Sequence, residues 1–583
     1  MFKLLKIFTP RLIVLALLTL IFVAAAALLD LELPRRMAAT IGATEYESVA
    51  QIIERGGWMF GLAFGAIVAN VFVAFFASRM AVGFSRNLRK RVFEKVEGFS
   101  LKEFDEVGTA SLITRTTNDV QQVQQFFVLM FTTMASAPIT FVFGIIYASE
   151  FGGDYMLVIG GALGIMLLIV AAVMFVVFPM YNRIQKRLDK LTLVAREGLT
   201  GVRVTRAFNR QAREQQRFHE SNVNLTRTTL RVNRIASITN PVAMLVMFGM
   251  QLGIIFLTAH TTQGQVDAGE TISRAELARV FAVFQYSMQI MFAFMMFTML
   301  FIQWPRSQAS ANRINEILKI QPEINDNGGK PLGRGELCGG TLVFENVTFT
   351  YPRASKPALR DISFSAHAGQ TTAIIGPTGS GKTTLANILM RFYNIDSGSI
   401  SVSGTNIREF NVKDYRSQIG YTSQKAMLFK GDIVSNILVG KADASESEIL
   451  HALDVASAEF ALEKGLDAPV AQGGKNFSGG QKQRLSIARA VVGSPSIYLF
   501  DDTFSALDYT TDAQVRANLK TETTKREAGK EAITIIVAQR VSTIKEADNI
   551  IVLEEGQIVS QGTNEQLLQS CSVYREIVNS QEN

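Results

Sequence analysis

The clearest chemistry in the chain lies in one unbroken stretch: Gly376, Pro377, Thr378, Gly379, Ser380, Gly381, Lys382, Thr383 and Thr384. This is the G-x-x-x-x-G-K-[ST] pattern. Its glycines let backbone N–H groups wrap phosphate oxygens, and the positive end of a following helix adds to the attraction. Lys382 would reach the β- and γ-phosphates of a nucleotide, and Thr383 its Mg2+ ion. A second feature is Asp501-Asp502, which closes the short apolar run Ile497–Phe500. A carboxylate in that position suits Mg2+, held directly or through water. Ser478, Gly479, Gly480 and Gln481 form a third, because Ser-Gly-Gly opening a helix is another phosphate-ready N-terminus. A single nucleotide already has its phosphate loop, so this third feature would serve a different nucleotide.

Simple elements position these groups. The β-like run Thr371–Ile375 leads into the phosphate loop, and the helical pattern Leu385–Phe392 follows it. Leu485–Val492 continues from the Ser-Gly-Gly segment as a helix. Residues 322–583 therefore read as a mixed α/β globular sequence, a P-loop α/β nucleotide-binding domain placed at 341–583 after a linker at 321–340. Residues 1–320 read as a six-helix α-helical transmembrane domain. The 583 residues are too many for one ordinary domain. The apolar share of 48% looks soluble-like, yet the charged share of 19% falls below the roughly 25% of soluble domains. Disordered, collagen-like and disulfide-rich classes are excluded. Cys338 and Cys571 have no metal-ligand spacing and fit two ordinary buried thiols in a reducing cytoplasm.

The membrane reading rests on length. About 20 mostly apolar residues cross about 30 Å of hydrocarbon. Six segments meet or approach that requirement: Leu12–Leu29, Trp58–Ser78, Phe126–Tyr147, Met156–Phe178, Pro241–Leu257 and Val280–Ile302. None has Lys, Arg, Asp or Glu in its interior. The first follows Lys3, Lys6 and Arg11 and ends in Ala24–Ala27, so a cleaved signal peptide is the alternative there. The loop after the second span carries Arg79, Arg86, Arg89, Lys90, Arg91, Lys95, Lys102 and Arg115. The loop after the fourth carries Arg183, Lys186, Arg187, Arg203, Arg206, Arg210, Arg213 and Arg234. The other connections hold Glu45, Glu47, Glu150, Asp154, Asp267 and Glu270 with few bases. The positive-inside rule then puts both basic loops and both chain ends in the cytoplasm of a multi-pass cell-membrane protein. The net charge of +7 is largely this topology signal, and no nucleic acid partner is expected. A loop of about 44 residues folded as two helices would reach roughly 30 Å beyond the bilayer. The tips fall near Leu101–Phe104 and Gly201–Phe208.

With these motifs in this order, the chain resembles an ATP-binding cassette (ABC) exporter half-transporter over essentially its full length. The resemblance implies an ATPase coupled to transmembrane transport, with ATP and Mg2+ bound. Tyr351, in Phe349-Thr-Tyr-Pro, matches the aromatic residue that stacks on adenine. Gln424 matches the glutamine that contacts magnesium and the attacking water. Ser478–Gln481 matches the signature motif and Ser505–Asp508 the D-loop. In this family two cassettes close head to tail, each ATP lying between one chain's phosphate loop and the other's signature. The loop tips resemble the coupling helices.

Two positions depart from the family pattern. Asp502 stands where the catalytic glutamate belongs, and Gln539 where the switch histidine belongs. Aspartate is one methylene shorter, and about 1 Å of misplacement costs roughly 10²-fold. Gln539 can hydrogen-bond a γ-phosphate but cannot become cationic. The expectation is a weakly hydrolytic own site with an intact signature, resembling the degenerate-site subunit of bacterial heterodimeric multidrug exporters. Its partner would be a second, non-identical half-transporter carrying Glu and His. A homodimer using Asp502 as a slower base is the alternative.

The last span offers a cargo signal. Phe281, Phe284, Met288, Met291, Met295 and Met299 recur at helical spacing, with Phe292, Phe294, Met296, Phe297 and Phe301 among them. Such surfaces suit apolar ligands, although lipid or neighbouring helices explain them equally well. Gln285 and Gln289 could orient a ligand or bond another helix. With no charge inside the spans, a lipophilic small molecule is expected, the alternatives being lipid, peptide or iron-chelate transport.

Overall fold

The computed structural model describes residues 2–44, 48–267, 274–325, 328–524 and 530–582. Glu45, Glu47, Glu270 and linker residues 326–327 lie outside them, as do the side chains of Asp267, Met299 and Phe301. The chain forms two compact units, one of residues 1–94 with 113–319 and one of residues 95–112 with 320–583.

The first unit is helical. Its elements are α1 (Pro10–Ala43), α2 (Val49–Glu97), then, after α3 (Leu101–Val107) of the other unit, α4 (Thr109–Thr116), α5 (Asn118–Leu129) and α6 (Ala135–Ser149). There follow α7 (Gly153–Thr200), α8 (Val202–Ala207), α9 (Gln211–Ser237), α10 (Thr239–Asp267) and α11 (Arg274–Lys319). Among the described residues six helices are long and apolar enough to cross a membrane, including the one that begins at Pro10. The first span thus continues well past the Ala24–Ala27 stretch as one helix to Ala43. At 49 and 48 residues, α2 and α7 measure about 70 Å each, more than twice the hydrocarbon thickness. One buried seam gathers Leu31, Ala38, Met166, Met250, Tyr286 and Ile290, and Met80, Phe84, Leu88 and Phe127 are buried elsewhere in the unit. Large residues such as Phe60, Phe175 and Phe256 stay exposed, as lipid-facing side chains would.

The second unit is α/β. A six-stranded sheet runs in the order β12-β11-β3-β10-β9-β6. Its strands are β3 (Thr371–Ile375), β6 (Ile419–Thr422), β9 (Ile497–Asp501), β10 (Ile533–Val537), β11 (Asn549–Glu554) and β12 (Gln557–Gly562). All neighbours are parallel except β11 and β12. Strands β9 and β10 are buried at every residue, as a parallel sheet covered on both faces requires. A second, antiparallel sheet has the order β2-β1-β4-β5, from β1 (Thr341–Phe349), β2 (Leu359–His367), β4 (Ser397–Val402) and β5 (Thr405–Asn406). A small pair, β7 (Gly431–Asp432) and β8 (Pro469–Val470), completes the set. Cys571 is buried as expected, whereas Cys338 is only half-buried, its thiol donating to Ser496 Oγ at 3.3 Å.

Candidate functional site

The parallel pairing of β3, β10 and β9 brings three segments to one edge of the sheet: the loop after Ile375, Gln539, and Asp501-Asp502. This is the carboxyl edge at which α/β sheets bind ligands. The loop Gly376–Gly381 runs straight from β3 into the helix Lys382–Leu389. All three glycines there are constrained, Gly379 by a φ of +84°. A Cβ on Gly376 would sit 2.0 Å from Leu553 O, and Gly381 has a φ of +100°. Thr378 and Gly379 are exposed at the loop's tip, whereas Ser380 is buried and its Oγ has no hydrogen-bond partner. Lys382 is buried and donates through Nζ to Gly376 O and Pro377 O, both at 2.8 Å. Burial pulls its ammonium below the usual lysine range, while Asp502 and Asp501 act to raise it.

Opposite the loop, Thr383 Oγ1 donates to Asp501 Oδ1 at 3.1 Å. Asp501 is 1% exposed, and its Oδ2 is buried without a partner. Burial pushes its carboxyl up to about 6. An unpaired buried carboxylate oxygen beside a threonine hydroxyl fits a magnesium ion, which would supply the missing contact. Thr384 is buried one residue on, and Tyr351 Oη donates to its Oγ1 at 3.2 Å. The ring of Tyr351 meets those of Phe349 and Tyr393 edge-on.

Asp502 has a left-handed backbone, with φ of 50° and ψ of 30°, fixed by its N–H bonding to Val537 O at 2.8 Å. Its Oδ2 accepts from Gln539 Nε2 at 2.7 Å and from Gln424 Nε2 at 3.2 Å. Asp502 and Gln539, the two positions where the resemblance led to the expectation of Glu and His, are therefore bonded to each other. Burial raises the Asp502 carboxyl, while bonds involving Gln424 and Ser505 and the nearby Lys382 oppose that rise. Gln581, near the chain's C-terminal end, was invisible to motif reasoning. Its Nε2 donates to Gln539 O at 2.7 Å, and its Oε1 accepts from Val541 N at 2.8 Å. One side chain thus grips the Gln539 segment at two points.

The signature residues occupy a separate place. Ser478 caps the helix Gly479–Val491 in a capping box with Gln481: Gln481 N donates to Ser478 Oγ, and Ser478 N to Gln481 Oε1. Ser478 and Gly479 are exposed, and Gly480 is half-buried. Among the described residues no hydrogen bond joins Ser478–Gln481 to the phosphate loop. Within this one chain the structure therefore groups Lys382, Thr383, Asp501, Asp502, Gln424 and Gln539, and leaves the signature apart.

The first loop tip belongs to the same unit. Ser100 and Glu103 form a capping box on α3, with Glu103 buried. Glu103 Oε1 also accepts from Glu323 N at 3.2 Å. Lys102 pairs with Glu323 at 2.7 Å, Arg353 donates to Glu106 O at 3.0 Å, and Tyr393 Oη donates to Asp105. The second tip, α8 in the membrane unit, has no buried residue, and Val204 and Phe208 are 62% and 73% exposed.

The family described as ABC transporter matches residues 359–505, and that described as ABC transporter transmembrane region matches residues 12–305. The second match includes the first span. An uncharacterized ABC transporter ATP-binding protein of Mycobacterium tuberculosis is 37% identical over 91% of this chain and 90% of its own length. The ATP-dependent lipid A-core flippase of Pseudomonas syringae pv. tomato is 31% identical, over 88% and 82%. A bacterial Atm1-family ABC exporter, solved with ATP bound, superimposes with a TM-score of 0.79 at 24% identity, covering 98% of this chain and 99% of that one.

Proposed function

The chain belongs to the ABC transporter family, and from that premise we propose that it is one half of a heterodimeric exporter for amphipathic or lipophilic compounds. Its family makes it a multi-pass membrane protein and an ATPase coupled to transport. The proposal adds that its own ATP site is weakly hydrolytic and that its signature completes the partner's competent site. The observation that carries this is the Asp502 carboxylate, whose Oδ2 accepts from both Gln539 and Gln424. A base must take a proton from water, and an oxygen already holding two amide donors is a poor one. Gln539, moreover, has no charge to lose or gain.

In this reading Lys382 leaves the loop carbonyls for the nucleotide phosphates when ATP binds. Ser380 Oγ and the loop N–H groups gain acceptors at the same time. A Mg2+ ion, when bound, would neutralise phosphate charge, held by Asp501 and Thr383 with Gln424 nearby. Tyr351 would stack on adenine. Closure of two cassettes would bring Ser478, Gly479, Gly480 and Gln481 onto the partner's nucleotide, at the N-terminus of a 13-residue helix. Closure would pass to the membrane helices through the loop tips and open the pair outward, and hydrolysis at the partner's site would reset it. The basic loops and both chain ends would lie in the cytoplasm.

ATPase assays on the chain alone and with its partner half-transporter test the reading. We expect little turnover alone, and higher basal turnover for Asp502→Glu combined with Gln539→His. Robust activity of the isolated chain that Asp502→Asn abolishes would replace the heterodimer with a homodimer. A lipid cargo is the second reading, favoured by the 31% identity to a protein named as a lipid A-core flippase.

A further inference from the structure

We propose that the membrane unit contains a cation-recognising cavity built on Asp30, so that the cargo is an amphipathic cation. This deepens the transport reading above and rests on it. The cavity has a volume of about 700 Å³, within the range of drug-sized sites, and lies between α1, α2, the α5–α6 span and α11. Asp30 falls one residue beyond the first apolar run, Leu12–Leu29, but α1 continues through it to Ala43. The carboxylate is thereby carried into the wall of the bundle, which corrects the expectation of a charge-free path.

The wall is broken on both sides of this cavity. Pro34 has no N–H, so the carbonyl of Asp30, four residues earlier, lacks its helical donor. Gln289 Nε2 of α11 donates to that carbonyl at 3.3 Å, and Tyr286 Oη to the neighbouring Leu31 O at 2.9 Å. Across the cavity, Pro138 likewise frees the carbonyl of Met134, and the chain widens into a π-helical turn over Met130–Met134. That turn places Thr132 and Thr133 in the lining. Wide turns of this kind inside spanning helices commonly mark functional sites.

Charge then fixes the ligand class. Asp30 is the one ionisable residue among those lining the cavity, and among the described residues nothing pairs with its carboxylate. The nearby arginines are engaged elsewhere: Arg36 with Glu32 at 2.8 Å, and Arg35 with Glu32 and Glu150. Asp30 is exposed to the cavity, and Gln289 Oε1 beside it is a buried acceptor without a partner. A carboxylate and an unused amide oxygen at membrane depth are costly unless a donor or cation meets them. Phe292 and Met296 supply an aromatic face and a soft thioether on the same wall, both favourable to a cation with an apolar body. Among the described residues of the Met/Phe stripe others lie apart from it: Met291 is buried between helices, and Phe281 is exposed outside the lining.

Tetraphenylphosphonium and tetraphenylborate, alike in shape and opposite in charge, test this on the chain with its partner in nanodiscs. The phosphonium should bind saturably above the level of protein-free nanodiscs, and tetraphenylborate should not compete. Asp30→Asn should weaken phosphonium binding about tenfold or more, while Asp30→Glu retains most of it. Equal binding by Asp30→Asn, or equal competition by tetraphenylborate, would overturn the proposal. ATP binding reports folding of each variant, and if Asp30→Asn loses it, the wild-type competition decides. ATP-driven transport of a neutral dye with Asp30-independent phosphonium binding defeats only the cation proposal. Asp30-dependent binding with no ATP-driven transport of any probe defeats the transport reading instead.

Discussion

The two loop tips began as equivalent features of the sequence, each a break between long basic helices, and they differ in what satisfies them. α3 is anchored in its own chain through Glu103, Lys102, Asp105 and Glu106, which meet Glu323, Tyr393 and Arg353. α8 presents Val204 and Phe208 to solvent beside Arg203 and Arg206. A tip of short polar contacts is complete within one chain. A tip with exposed apolar side chains has a surface still to be covered, and the proposed partner cassette is the natural cover. In the proposed heterodimer the chain would keep the contact at α3 for itself and offer the one at α8.

The largest expected effect attacks α8. Val204→Asp with Phe208→Asp should reduce co-purification of the partner and coupled transport by about tenfold or more. The melting stability of the chain alone should move by less than about 0.5 kcal/mol. A destabilised chain would mean that α8 packs within its own chain, and the contrast would collapse. Next is Glu103→Ala in α3. It leaves the N–H groups of Ser100 and Glu323 without their acceptor at a buried position and should cost about 2–3 kcal/mol in denaturation of the chain. Partner binding should follow only through that loss of stability. Tyr393→Phe, which deletes the donor to Asp105, should cost about 1 kcal/mol by the same measurement.

The smallest effect is expected at Lys102 and Glu323, whose side chains are 42% and 39% exposed. Lys102→Ala should cost about 0.5 kcal/mol, less at high salt. The hydrogen bond between them holds the Glu323 carboxyl below its ordinary 4.5 and the Lys102 ammonium above its ordinary 10.5. The glutamate contribution is therefore present above pH 4.5 and lost as pH falls through the depressed value. The lysine contribution is present below pH 10.5 and lost as pH rises through the elevated one. Stability profiles of wild type and Lys102→Ala should thus stay parallel between those limits and converge outside them.

Much of the site was legible because its signals are local. Gly376–Thr384 needs a strand before it and a helix after it, and all three lie within a score of residues. Asp501 announces itself by ending a buried apolar run. Asp30 was missed because hydropathy locates where an apolar run stops, whereas a helix stops only where its backbone bonds do. Gln581 was missed because its two bonds to the Gln539 segment join residues 42 and 40 positions apart, with no pattern in between.

The sequence by itself determined the kind of machine, six apolar spans joined to a phosphate-loop domain, and offered Asp501, Ser478–Gln481, Asp502 and Gln539 as candidate site residues. Each is written in the type and spacing of neighbouring residues, where helix and strand periodicity act. Only the tertiary structure decided that Asp502 and Gln539 bind each other, that α3 is tied down while α8 is bare, and that Asp30 faces a cavity. Those are contacts between distant segments, chosen by which buried donors and acceptors meet once the chain has packed, and no local pattern records them.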